Sequence, residues 1–131
     1  MMTAVFCFNT SKFDVAREPK NPINPIPGAS LLEWLQKQVN GAVEVSTPEP
    51  EDWGWYSYVQ WEGRNYLLGA SASEAEGGDH EWVFQVVKQR SIWEKLLGRA
   101  AMSRDDECAK YFRGLLEREA SFKGLTSEDE R

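Results

Sequence analysis

The chain holds one histidine, His80, at the end of the acidic, glycine-bearing stretch SEAEGGDH. A nucleophilic mechanism would have to bring a Ser or Cys from elsewhere to this imidazole. Cys7 is the only cysteine with an independent reason to lie near a sheet, but it stands within the apolar run TAVFCF. A reactive thiol needs an electropositive, partly exposed setting, so a Cys–His pair is not expected. Asp79, His80 and Glu81 are metal-ligand types, yet adjacent residues of an extended chain point to opposite sides. His80 is read as a solvated loop residue.

Carboxylates are the next candidates. Glu49, Glu51 and Asp52 precede an aromatic stretch, where a glycosidase-like pair beside sugar-stacking rings is conceivable, but nothing in the sequence sets the separation that such a pair needs. Asp105, Asp106 and Glu107 read as first-turn acids complementing a helix dipole. The glycines of GGDH lack a following lysine and the strand-to-helix context of a phosphate loop, so no cofactor is expected. In VKQRSIWEKLLGR, Lys88 and Arg90 leave a strand while Lys95 and Arg99 follow at helical i, i+4 spacing. This reads as a solvated face paired with Glu94, with an anion site as the lesser alternative.

The aromatic stretch WGWYSYVQW, 53–61, remains. Tyrosine and tryptophan dominate both interface hot spots and small-sheet cores, and strand alternation separates the two uses. A hairpin turn at EGRN with Gly63 in the first central position pairs Glu62 with Asn65. Trp61 then opposes Tyr66, Val59 Leu68, Ser57 Ala70 and Trp55 Ala72, and this face is assigned to the core. The other face carries Tyr56, Tyr58 and Gln60. With Glu62 and Arg64 at the turn and Glu51 and Asp52 before the strand, it forms the candidate partner-binding surface.

These residues need a scaffold, and one domain's worth of chain is present: 131 residues, 41% hydrophobic and 27% charged. TAVFCF reads as a first strand; GAVEVS, the aromatic stretch, NYLLGASA and EWVFQVVKQ supply the others, with TPEPED as a break. Four prolines, Pro19, Pro22, Pro25 and Pro27, mark a loop strapped across the fold rather than a polyproline ligand. Capping boxes at SLLE (Ser30), SIWE (Ser91) and SRDD (Ser103) predict three helices. Their apolar stripes are Leu31, Trp34, Leu35 and Val39; Ile92, Trp93, Leu96, Leu97 and Ala100; and Cys108, Tyr111, Phe112, Leu115 and Leu116. Gly124 reads as the stop of the third helix. The expected fold is α+β: an antiparallel sheet of four or five strands with about three helices packed mainly on one face. A single domain is assigned to residues 1–125 and a disordered charged tail to 126–131.

Charge narrows the function classes. Residues 44–81 carry nine acids against Arg64 alone, within a chain of net charge −6. Such a surface repels nucleic-acid phosphates and favours basic partners, so another protein is the expected partner and nucleic acid is disfavoured. No stretch approaches a membrane span, and MMTAVFCFNTSK lacks the basic start and the length of a signal peptide, so a cytoplasmic setting is expected. The profile fits a small non-enzymatic binding protein of inhibitor or immunity type. The alternatives are a ligand-binding or hydrolytic enzyme with a cleft near the hairpin, lined by Trp53, Trp55 or Tyr56, and a self-associating structural module. The oligomeric state stays open.

Overall fold

A computed structural model describes residues 3–90, 94, 96–98, 102 and 105–128. Its frame is a seven-stranded antiparallel sheet: β1 (Thr3–Thr10), β2 (Glu44–Val45), β3 (Glu49–Glu51), β4 (Gly54–Trp61), β5 (Arg64–Glu74), β6 (His80–Lys88) and β7 (Lys123–Ser127). The order across the sheet is β2-β4-β5-β6-β1-β7, and β3 shares with β2 the outer side of β4. Two α-helices are found among the described residues, α1 (Ala29–Val39) and α2 (Glu107–Glu117). The four or five strands and about three helices expected from the sequence are therefore corrected to a sheet-dominated architecture.

Each miscount has a local cause. Glu49–Glu51 contains Pro50, whose missing N–H argues against a central strand; here it lies on the edge, where no donor is required. Thr126 and Ser127, assigned by sequence to a disordered tail, pair with Cys7 and Phe6 instead. Gly124 does not stop a helix: it takes φ +65° where the register of β7 slips against β1 between Cys7 and Asn9, the conformation a bulge demands of a glycine. The helix expected from Ser91 has its capping serine, Ile92, Trp93 and Ala100 outside the described residues, and Leu96 and Leu97 are exposed.

Helix starts also differ from the capping boxes. Gly28, not Ser30, is the N-cap of α1, and the side chain that satisfies its first amides belongs to Glu18 in the proline-rich loop. The Glu18 carboxylate accepts from the backbone amides of Gly28 (2.9 Å), Ala29 (3.1 Å) and Ser30 (3.0 Å), and from the Ser30 hydroxyl. An acid placed at the positive end of the helix thus satisfies amides that have no intrahelical acceptor. For α2 the cap is Asp106, whose carboxylate accepts from the Ala109 amide at 3.0 Å; Ser103 lies outside the described residues.

Strand alternation sorts the sheet into two faces. Phe6 and Phe8 of β1, Trp55, Ser57 and Val59 of β4, Tyr66, Leu68, Ala70 and Ala72 of β5, and Trp82, Phe84 and Val86 of β6 are buried on one face. Both helices pack there, burying Leu31, Leu32 and Leu35 from α1 and Cys108, Phe112, Leu115 and Leu116 from α2. Each buried leucine contributes about 1.5–3 kcal/mol. At one end Phe8 stacks on Phe122 at 4.3 Å, while Phe13 meets Trp82 edge-on at 5.1 Å and Trp34 meets Phe122 at 5.1 Å. No helix among the described residues is long and apolar enough to cross a membrane.

Candidate functional site

The sheet face turned away from the helices carries the tyrosines. The β4–β5 hairpin pairs Trp61 with Arg64, Val59 with Tyr66, Ser57 with Leu68 and Trp55 with Ala70. This register is two residues from the expected one, because the loop is Glu62-Gly63 with both residues at positive φ (50° and 78°), as a type I′ turn requires. A slip of two preserves strand parity, so the division into faces survives the error.

Tyr58 is 45% exposed and Tyr56 half-buried, and their rings meet at 5.5 Å with an interplanar angle of 74°. Across the strands, Tyr56 faces Gly69 and Tyr58 faces Leu67; next come Gln85 opposite Gly69 and Val87 opposite Leu67. Gln60, exposed, continues the face and donates to Asn65. Burial and the neighbouring acid Glu49, then Tyr58 and Glu51, push the Tyr56 hydroxyl above its ordinary pKa, so the phenol stays neutral well beyond physiological pH.

Two residues that alternation alone did not place belong here. Trp53, 38% exposed in the β3–β4 turn, reaches across the open face onto Gly69, where an added Cβ would lie 2.8 Å from its Cη2. Glu49 stands opposite Tyr56, with Glu51 opposite Gly54 and Glu44 opposite Gln60, so the acids of the outer edge are on the tyrosine side. The available signal was the spacing Glu49-x-Glu51, which puts both acids on one face of an extended chain. It was obscured by the two prolines.

The remaining candidates scatter. Arg64 alternates onto the helix side, where its guanidinium grips Glu94 through bonds of 3.1 and 2.8 Å and donates to the Gln89 carbonyl. Glu62 is exposed at the turn, away from Glu51, whereas Asp52 is exposed in the β3–β4 turn beside it. Asn24 donates to the Asp52 carbonyl at 2.8 Å, and Asn21 donates to the carbonyls of Glu51 and Gly54, so the proline-rich loop buttresses this turn. Lys88 lines a recess of about 290 Å³ with Asp105, Asp106 and Glu107, which is poor company for an anion. Arg90 is half-buried, and Lys95 and Arg99 lie outside the described residues.

For catalysis, Trp55 is in the core while Trp53 and Tyr56 are on the opposite face, so these three do not line one cleft. His80 begins β6 opposite Thr10 and Glu74, and is remote in register from Cys7, which pairs with Val83. Burial pushes the Cys108 thiol up to about 12, with the Asp106 charge adding to it. No group of three His, Cys, Asp or Glu among the described residues is placed to hold a metal. Comparison of the chain with protein-family models, with curated proteins and with solved structures finds no match.

Proposed function

We propose that this protein is a non-enzymatic protein-binding module of inhibitor or immunity type, docking through the open sheet face around Tyr56 and Tyr58. The observation that carries the reading is the exposure of Tyr58 beside Tyr56 on a face that neither described helix covers. Tyrosine buries a large rigid surface at low entropic cost, and interface hot spots are enriched in it. Glu44, Glu49 and Glu51 along the edge make a basic partner complementary and would speed its encounter. A cytoplasmic setting goes with this reading, in which Cys7 and Cys108 serve as buried small hydrophobes.

The test is the double variant Tyr56→Ala/Tyr58→Ala measured against a partner captured with the wild-type chain and then purified. A hot-spot loss of about 2 kcal/mol, roughly 30-fold in Kd, is expected. Unchanged affinity in the folded double variant removes the reading.

A further inference from the structure

The residues around Tyr56 specify more than a generic docking face. We propose that the partner anchors to this face through an arginine, whose guanidinium packs on the Tyr56–Tyr58 pair and is held by the carboxylates of Glu49 and Glu51. The arginine anchor rests on the docking role proposed above for the same face.

The two tyrosines stand nearly perpendicular, 5.5 Å apart, so a ring face and a ring edge meet on the solvent side of β4. A cation is drawn to an aromatic face by the ring quadrupole, and a guanidinium can also stack on it in plane. Glu49 is directly across from Tyr56, and Glu51 is across from Gly54, where the Ala70 backbone packs too closely to admit a side chain. Trp53, seated on Gly69, stands at the register position next to Tyr56 and walls the far side.

The Glu51 carboxylate accepts from the Asp52 amide at 2.9 Å, a bond that leaves the charge of this corner without a counter-ion. Among the described residues neither Glu49 nor Glu51 takes part in an ion pair, and the one base of the hairpin, Arg64, is on the other face with Glu94. Burial first, then Glu49, raises the Tyr56 phenol further above its ordinary value of 10.0, so the ring is neutral and its hydroxyl is available to donate.

Geometry selects arginine over lysine. Glu49 and Glu51 are two residues apart in an extended strand, which separates their Cα atoms by about 7 Å. An ammonium is a compact, strongly hydrated point charge with no flat face to lay on a ring. A planar guanidinium, with five donors on two edges, can bridge both carboxylates while its face lies on a ring. Solvent screens each carboxylate at such an exposed site, so the stacking surface and the second carboxylate together give the selectivity.

The experiment is an NMR titration of the full-length labelled chain with three capped tripeptides, Gly-Arg-Gly, Gly-Lys-Gly and Gly-citrulline-Gly. The arginine peptide is expected to move the ring signals of Tyr56 and Tyr58 saturably, with affinity at least about threefold above the lysine peptide. The citrulline peptide, isosteric and uncharged, is expected to produce no saturable shift. Glu49→Gln/Glu51→Gln should weaken the arginine peptide at least about fivefold at low salt, while Tyr58→Phe, which keeps the ring, should leave it within about twofold.

Equal shifts with citrulline, absence of shifts at the tyrosines, or indifference to the double Glu variant would each overturn the arginine anchor. Partner affinity that falls in the double Tyr variant while the arginine peptide fails leaves the docking reading standing and removes the arginine anchor. The reverse pattern removes the docking reading and leaves an arginine-selective site.

Discussion

Trp53 rests on Gly69 so closely that a Cβ at position 69 would come within 2.8 Å of the indole. The contact joins the β3–β4 turn to the centre of β5 and covers backbone that would otherwise face water. Gly69→Ala should therefore expel the ring. The expected signs are a red-shifted, more quenchable tryptophan emission and a stability loss of about 1–3 kcal/mol in chemical denaturation. Retention of the wild-type emission would show that the turn moves freely enough to absorb a methyl group.

Glu18 caps α1 from ten residues upstream of Gly28, so the proline-rich loop and the helix should loosen together. Glu18→Ala is expected to cost about 1–2 kcal/mol. Amide exchange should accelerate at Gly28, Ala29 and Ser30, and at the Ala72 amide that donates to the Pro27 carbonyl at 3.0 Å. Faster exchange at the helix start without any change at Ala72 would mean that the loop is held independently of the cap.

Asp106 works twice, accepting the Tyr66 hydroxyl at 2.7 Å and the Ala109 amide. Tyr66→Phe removes one bond and leaves Asp106 its capping role, so about 1 kcal/mol is expected. Asp106→Ala uncaps α2 and strands the buried hydroxyl, and should cost more, about 2–4 kcal/mol. Equal losses in the two variants would refute this division of labour.

The same cluster predicts an alkaline limit. Burial first, then the Asp106 bond, raises the Tyr66 phenol above its ordinary 10.0, and burial raises the Cys108 thiol from 9.0 to about 12. Both groups hold their protons more tightly when folded. Stability from them is complete below pH 9 and declines as the unfolded chain deprotonates, by up to about 1.4 kcal/mol per pH unit for each group. Melting temperatures across pH 7–11 should begin to fall near pH 9, and Cys108→Ala should delay the onset toward pH 10. An onset unaffected by that substitution would assign the limit elsewhere.

Glu62 holds φ 50° in the hairpin turn, a conformation that asparagine tolerates far better than glutamate. Glu62→Asn should stabilise the protein by about 0.5–1 kcal/mol, read as a higher denaturation midpoint at constant m-value. It should do so without disturbing the Tyr56 and Tyr58 resonances, since the turn lies beyond Gln60.

The division of the strands into faces and the apolar stripes of the two helices were legible in the sequence, whereas the helix starts and the hairpin turn were not. Alternation divided Trp55, Val59, Tyr66 and Leu68 from Tyr56 and Tyr58, and helical periodicity found the buried faces of α1 and α2, because these patterns repeat along one element and need no partner. Even a register error of two left the faces intact. Pairing between distant segments emerged only with the folded chain. Pro50 became admissible in a strand because it sits on the edge, and Thr126 and Ser127 gained order from β1, more than a hundred residues earlier. Glu18 displaced the serine cap because the proline-rich loop returns to the helix start. The placement of Trp53 over Gly69 and of Glu49 beside Tyr56 is likewise a matter of chain return. No composition or spacing carries that information, since a residue's own neighbours in sequence do not say which surface will come to rest against it.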